Sequence, residues 1–178
     1  MMTSDETCIA APFQPGDTLA YLDAVARSFP DLARTTAWAG SAFDAQPRLV
    51  WAQSRAGAWA AGSEFSFALK SRDGHAFLGV CGLGRIDWTH RCGNLSFWTA
   101  TGQTRRGVAT CGARAVISFG FTQLGLARIE ILTAVDNIAT CRVAEKLGAT
   151  KEGVLAARLM ISGKRRDAAL YAMTAPPA

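Results

Sequence analysis

The sequence of 178 residues predicts an α/β fold built around one mixed β-sheet. Two patterns support this fold class. Apolar and polar residues alternate over residues 64–70, which is typical of a strand, and small or apolar residues then recur at helical spacing from Val108 to Phe119. The predicted elements run in the order helices, antiparallel strands, strand–helix–strand–helix and two final strands. This order is typical of a mixed sheet covered by helices.

The first third of the chain is predicted to be helical. Residues 17–28 form the first predicted helix, with Asp17 as a suitable N-cap. Its apolar face carries Leu19, Leu22, Val25 and Ala26. Pro30 is predicted to interrupt the chain there, because proline lacks the backbone N–H that an inner helical residue donates. Two further helices are predicted over residues 31–39 and 46–60.

The rest of the chain alternates between strands and helices. The predicted strands cover residues 64–70, 76–88, 94–100, 126–134, 153–161 and 166–173. The predicted helices cover residues 108–119 and 138–147. Asp73-Gly74 and Ser162-Gly163 are typical of hairpin turns, and Gly148 is typical of a helix end.

Composition narrows the class of protein. Hydrophobic residues make up 49% and charged residues 19%, which indicates a globular chain. We expect one domain over residues 1–178, with residues 175–178 as a loose tail. No apolar run is long enough for a membrane span, and the N-terminus does not resemble a signal peptide. The five cysteines are irregularly spaced, so we expect a cytoplasmic protein without a zinc ribbon or a disulfide framework.

Positive charge is concentrated in the second half of the chain. Residues 1–89 carry a net charge of −2, and residues 90–178 carry +7. A basic half favours an anionic partner. Nucleic acid, a polyphosphate cofactor and a solvated basic face all agree with the charge alone, so local motifs must decide between them.

Residues 98–110 combine a strand end, a polar loop and the first turn of a helix. The first N–H groups of a helix have no partner inside it, and they bind phosphate oxygens readily. Gly107 would let the backbone approach a ligand closely, and Arg105 and Arg106 add charge beside it. The segment therefore predicts either a phosphate site or an ordinary helix start with solvated arginines.

A second segment, residues 136–149, also opens a helix directly after a strand. Asn137 is placed either to cap this helix or to reach into the cleft between the two elements. The residue alone does not distinguish these roles.

Together, the two segments resemble the GCN5-related N-acetyltransferase (GNAT) family. The loop pattern of that family is Gln/Arg-x-x-Gly-x-Gly/Ala, and here it falls on residues 104–109. Residues 137–149 are similar to the downstream helix of the RimJ/RimL-type branch. The resemblance covers roughly residues 60–173. Two positions depart from the pattern, since Thr104 replaces Gln/Arg and Arg105 replaces a frequent glycine.

The resemblance implies a fold and a cofactor. The GNAT fold has a single mixed, mostly antiparallel sheet, flanked by helices, that splits between the strands at 94–100 and 126–134. Acetyl-CoA would serve as co-substrate, with its pantetheine arm in the split and its pyrophosphate on the loop; no metal is implied. The implied cofactor-binding residues are Trp98, Thr99, Thr104, Arg105, Arg106, Gly107, Val108, Ala109 and Asn137.

The activity implied is transfer of an acetyl group from acetyl-CoA to a primary amine, by direct attack in a ternary complex. The expected acceptor is a protein N-terminal α-amine of the ribosomal-protein type. A small amine, a polyamine or an antibiotic is the alternative acceptor, and a non-catalytic acyl-CoA-binding sensor is the alternative class. Nucleic acid and membrane partners are not expected, and a homodimer is an open alternative.

Two residues are candidates for the chemistry. Thr140 takes the place of a serine that the resemblance assigns as the acid for the departing thiolate. The carboxylate base that some relatives carry is absent from residues 157–159, which leaves Asp87, at a strand end, as the candidate base. An α-amine, with a pKa of about 8, is partly neutral at pH 7 and needs less help from a base than a lysine amine with a pKa of about 10.4.

Overall fold

The computed structural model describes residues 7–40 and 42–175, which contain seven strands, four α-helices and a short 3-10 helix, Pro15–Asp17. The helices are α1 (Thr18–Thr35), α2 (Ala45–Ala60), α3 (Val108–Thr122) and α4 (Ile138–Lys146). The strands are β1 (Ile9–Pro12), β2 (Phe65–Lys70), β3 (Phe77–Asp87), β4 (Cys92–Thr99), β5 (Arg128–Ala134), β6 (Thr150–Ile161) and β7 (Lys164–Thr174). Of the predicted tail, residues 176–178 lie outside the described residues.

The strands form one sheet in the order β1-β2-β3-β4-β5-β7-β6. All neighbouring strands are antiparallel except β4 and β5, which run parallel at the centre. A parallel pair needs a long crossover connection, and α3 provides it. The predicted mixed, mostly antiparallel sheet flanked by helices is confirmed.

The predicted interruption at Pro30 is wrong, because α1 continues through it to Thr35. Residues 31–39 therefore do not form a separate helix. Pro30 cannot donate to the carbonyl of Ala26, four residues earlier, but both residues lie on the exposed side of α1. Water can reach that carbonyl, so the helix tolerates the proline.

The predicted apolar face of α1 is right for Val25, which is buried, and for Leu22, which is half-buried, but wrong for Leu19 and Ala26, which are exposed. Leu19 is 81% exposed. The buried face instead carries Tyr21, Ala24, Val25, Ser28 and Leu32. Asp17 does precede the helix, but its carboxylate accepts from the backbone N–H of Gln14 at 2.9 Å and pairs with Lys70 at 2.6 Å instead of capping α1.

The sequence does not predict β1, a four-residue strand that ends at Pro12 and pairs with β2. Such a short segment shows too little alternation to be recognised, and proline is accepted in an edge strand because only one of its sides is hydrogen-bonded. The other strands and the helices α2, α3 and α4 begin and end within three residues of their predicted bounds.

Both faces of the sheet are covered by helices. The larger core lies under α3 and includes Leu83, Leu95 and Ile129. On the opposite face, α1 and α2 cover a second core that includes Val80 and Tyr21. We call this second side the α1 face of the sheet.

Candidate functional site

The two parallel strands at the centre of the sheet separate along most of their length. β4 and β5 pair only through Cys92–Asn94 and Arg128–Glu130. Beyond these residues β4 continues to Thr99 and β5 to Ala134, each paired with its other neighbour, β3 or β7. A V-shaped opening with backbone groups along its edges results, and an extended chain carrying amides can pair with such edges. The predicted split is confirmed.

The β4–α3 loop presents backbone N–H groups at the start of α3. The first hydrogen bond of α3 runs from the Cys111 N–H to the Gly107 carbonyl at 2.9 Å. Within the described residues, no backbone N–H from Arg105 to Thr110 donates a hydrogen bond. This helix N-terminus lies directly after β4, at the open end of the split, and such an end attracts phosphate.

Left-handed backbone gives the loop its shape. Gly107 precedes α3 with a φ of +82°, and Arg105 has a φ of +62°. Arg105 therefore adopts the conformation that glycine favours, at the position where the family pattern often has glycine. The chain keeps the backbone path of the loop and adds an exposed guanidinium. Arg106 donates to the Gln103 side chain at 3.3 Å.

The remaining predicted loop residues differ in exposure. Thr104 is exposed, Ala109 is half-buried, and Val108 is buried in the core under α3. The side chain of Val108 thus fixes the helix start, and only its backbone N–H is available to a ligand.

Trp98 and Thr99 form the edge of β4 along the split. The Trp98 ring packs on the α1 face against Tyr21, with ring centres 6.2 Å apart, and against Trp38 at 6.4 Å. On the neighbouring strand β3, a Cβ at Gly79 would lie 2.2 Å from the Trp98 carbonyl oxygen. Only glycine at this position therefore lets β3 approach β4 so closely. These contacts fix the Trp98 backbone at the split.

The start of the loop is anchored to α1. The Thr101 N–H donates to the hydroxyl of buried Ser28 at 2.9 Å, and the Thr101 hydroxyl donates to Asp31 at 2.8 Å. The loop therefore keeps its position relative to the helix that covers the α1 face.

Asn137 and Thr140 lie on the other side of the split, after β5. The Asn137 side chain caps α4 by accepting from the Thr140 N–H at 3.2 Å. Asn137 also lines a cavity of about 480 Å³ between the end of α1 and the β6–β7 hairpin. The predicted cap is therefore observed, and the predicted reach of Asn137 into the cleft stays a prediction. Within the described residues, the half-buried Thr140 hydroxyl makes no hydrogen bond.

Asp87 lies at the closed end of the split, away from Thr140. It pairs with Cys92 at the end of β3 and is exposed. Its carboxylate accepts from the His90 backbone N–H at 2.9 Å and contacts the His90 ring at 2.8 Å. These hydrogen bonds hold the pKa of Asp87 below its usual value, which makes it a weak base at neutral pH. The structure does not bring the two predicted catalytic residues together.

The sequence reasoning missed two residues at the vertex of the V. Asn94 and Glu130 are partners in the last paired step of β4 and β5. Both line a cavity of about 200 Å³. Asn94 is four residues from Trp98 in β4, so it lies on the same α1 face. The alternation Arg128-Ile-Glu130 could have indicated a polar site, because it places two charges on one face of a buried strand.

Two negative findings apply only to residues 7–40 and 42–175. No group of three His, Cys, Asp or Glu side chains there could hold a metal ion. No helix in the same residues is long and apolar enough to cross a bilayer.

The geometry agrees with a known family. Residues 9–150 match the profile described as "Acetyltransferase (GNAT) domain". The chain belongs to the GNAT family. Among GNAT relatives, the "Uncharacterized N-acetyltransferase YoaA" of Bacillus subtilis (strain 168) is 30% identical over 110 residues, which are 62% of this chain and 62% of YoaA. The "Spermidine N(1)-acetyltransferase" of Escherichia coli (strain K12) is 28% identical over 90 residues, 51% of this chain and 48% of that protein. The match to these curated GNAT proteins thus spans less than two thirds of their length.

A solved GNAT structure extends the likeness to the whole fold. "RimL- Ribosomal L7/L12 alpha-N-protein acetyltransferase in complex with Coenzyme A" superposes with a TM-score of 0.90 at 16% identity, over 98% of this chain and 98% of that one. The family and the fold that the sequence predicts are both confirmed.

Proposed function

We propose that this GNAT protein transfers the acetyl group of acetyl-CoA to a primary amine, with a protein N-terminal α-amine as the preferred acceptor. The observation that carries the proposal is the open split between β4 and β5 beside the amides that start α3, which have no acceptor among the described residues. A cofactor with a pyrophosphate and an amide-bearing arm fits these two features at once. The name of RimL, a ribosomal α-N-protein acetyltransferase with the same fold, supports the choice of acceptor.

On the cofactor side, every predicted residue except the exposed Thr104 would contribute to binding. The backbone N–H groups of Gly107, Val108 and Ala109 would hold the pyrophosphate, and Arg105 and Arg106 would add positive charge. Trp98 and Thr99 would pair through their backbone with the pantetheine arm. Asn137, across the split, would orient the same arm with its free amide NH₂ group.

On the chemical side, acetyl-CoA supplies an activated acyl group. A neutral α-amine attacks its carbonyl carbon, the new C–N bond forms, and the C–S bond breaks. The amine proton passes to water, since Asp87 is exposed and a weak base. A backbone N–H at the split stabilises the oxyanion, and the Thr140 hydroxyl donates a hydrogen bond to the departing sulfur.

The alternatives differ in what they predict. A polyamine or other small amine would be acetylated faster than a peptide. A non-catalytic sensor would bind acetyl-CoA and acetylate no amine. Cytoplasmic location, a homodimeric state and the absence of metal and nucleic acid from the function stay predictions; sedimentation velocity would test the oligomeric state.

The test is acetyl-CoA turnover with a panel of N-terminal peptides, spermidine and aminoglycosides, followed by thiol release and by mass spectrometry of the acceptor. We expect acetylated peptide N-termini. Calorimetry with CoA accompanies the assay. CoA binding without any acetylated product would establish the sensor, and the lack of CoA binding would overturn the proposal altogether.

A further inference from the structure

The cavity at the vertex of the V carries an unusual set of charges. It is lined by Asn94 and Glu130 from the sheet centre and by Arg85 and Arg158 from strands on either side, with Leu132 and Leu170 as its apolar floor. It lies where the thioester of a cofactor in the split would end. If the proposed function is right, this cavity receives the acceptor, and its chemistry selects the acceptor.

Both arginines reach the cavity through irregular strands. β3 shifts register between Gly84 and Asp87, and Arg85 has a φ of +50°. β6 shifts register between Leu155 and Leu159, and Ala157, next to Arg158, has a φ of +51°. Non-glycine residues rarely adopt this left-handed backbone, and bulges of this kind re-aim side chains near functional sites.

The β6 bulge is held by a specific contact. The Ala157 N–H donates to the carboxylate of Asp167, on β7, at 2.8 Å. This bond satisfies the backbone group that the bulge removes from the strand pairing. It also fixes the direction in which Arg158 leaves β6.

The two cavity arginines have no charge partner in residues 7–40 and 42–175. Neither Arg85 nor Arg158 forms an ion pair or a side-chain hydrogen bond there. By contrast, the neighbouring Arg128 donates to Glu130 at 2.8 Å and makes two hydrogen bonds with Glu152. The cavity therefore presents two uncompensated guanidinium groups beside one carboxylate.

Glu130 keeps one oxygen available. Its Oε1 accepts from Arg128, and within the described chain its Oε2 accepts no hydrogen bond. A primary amine at the vertex can donate to this oxygen and lie in front of the split. In its protonated form, the same amine cannot contact the guanidinium groups favourably, because both groups only donate hydrogen bonds and both carry positive charge.

From this arrangement we propose that the acceptor is an amine that also carries a carboxylate. Glu130 is a positioning residue for the amine, and Arg85 and Arg158 bind the carboxylate by charge-assisted hydrogen bonds. The acidic group belongs either to a side chain close to a peptide N-terminus or to a free acidic amino acid. A polyamine, which offers only positive charge, is disfavoured, in contrast to the acceptor named for the spermidine acetyltransferase relative.

The experiment compares kcat/KM for three C-terminally amidated peptides that begin Ser-Glu-Glu, Ser-Ala-Ala and Ser-Lys-Lys, together with free glutamate and spermidine. We expect the acidic peptide to exceed the neutral one by about tenfold, since one hydrogen bond to a charged group contributes about 1.5 kcal/mol. Faster turnover of free glutamate than of the peptide would assign the carboxylate to a small molecule. Equal rates for acidic, neutral and basic peptides would overturn the inference while leaving the proposed function intact.

Variants test the residues directly. Arg158→Gln and Arg85→Gln should abolish the acidic preference, mainly through KM, with kcat within about twofold. Arg158→Glu should reverse the preference toward the lysine peptide. Arg72→Gln is the matched control, because Arg72 is an exposed arginine in the β2–β3 loop, outside the cavity. An equal loss in Arg72→Gln would assign the effect to overall charge and contradict the proposal.

A binding measurement covers the case in which no substrate turns over. Fluorescence anisotropy of the labelled acidic peptide with the CoA-loaded protein should show tighter binding to wild type than to Arg158→Gln. No difference between the two proteins would refute the inference. That result would be independent of whether acetyl transfer occurs.

Discussion

The two sides of the split differ in whether backbone groups or side chains would contact a ligand. The proposed cofactor side consists mainly of backbone N–H groups in the β4–α3 loop. The proposed acceptor side consists of side chains, and two of them lie at bulges in their strands. A site made of backbone tolerates substitutions such as Thr104 and Arg105, provided that the chain keeps its path. A site made of side chains changes its ligand with a single residue, so relatives of one fold can share a cofactor and differ in acceptor.

The largest effect is expected from a change in the backbone path of the β4–α3 loop. Gly107→Val places a β-branched residue at a φ of +82°, at a cost of about 1–2 kcal/mol or more, and should weaken CoA binding by at least about tenfold. Calorimetry measures the affinity, and thermal unfolding measures the stability. The control is Gly148→Ala, at a φ of +81° after α4, which should lose stability but keep its CoA affinity.

Thr140 tests whether a side chain contributes to chemistry on the cofactor side. Thr140→Ala should lower kcat by about tenfold, the value of one hydrogen bond to a charged group, with CoA affinity unchanged. Thr140→Ser retains the hydroxyl and should recover most of the rate. Wild-type turnover in the alanine variant would remove Thr140 from the mechanism.

The substitution Asn137→Ala tests a residue that we propose combines a structural role with a binding role. Loss of its cap should cost about 1 kcal/mol of stability, and loss of its amide should weaken CoA binding by about fivefold. The matched variant is Asp44→Ala, which removes the N-cap of α2, where the Asp44 side chain accepts from the Gln46 N–H at 2.9 Å. Similar losses of stability with a loss of CoA affinity only in Asn137→Ala would separate the two roles.

The smallest effect is expected at Asp87. Hydrogen bonds from His90 lower the pKa of this carboxyl, so it stays ionised down to acidic pH and cannot produce a rate increase near neutrality. We expect kcat/KM to rise with pH toward the pKa of the acceptor α-amine, at about 8. Asp87→Asn should leave this profile in place, within about twofold in rate. A loss of rate well beyond twofold over the whole pH range would make Asp87 the base.

The sequence predicts well the features that the local backbone determines. It predicts poorly the features that depend on side chains from distant parts of the chain. The helix start at Val108 and the cap at Asn137 follow from local rules, because glycine, asparagine and strand alternation act over a few neighbouring residues. The convergence of Arg85, Glu130 and Arg158 on one cavity depends on two bulges and on register across five strands, none of which leaves a local signature. The prediction that Pro30 ends the helix is wrong for a similar reason. The free-energy cost of a proline inside α1 depends on which side of the helix faces water.

Trp98 contributes its backbone to the edge of the split and its indole to the α1 face of the sheet, and this has a practical consequence. The centre of this indole lies 6.4 Å from the centre of the Trp38 ring. Occupation of the groove next to such a pair alters the emission of the indoles, so the native protein carries its own optical reporter. Stopped-flow spectroscopy could follow cofactor arrival without any label, and replacing Trp38 with phenylalanine would assign the signal.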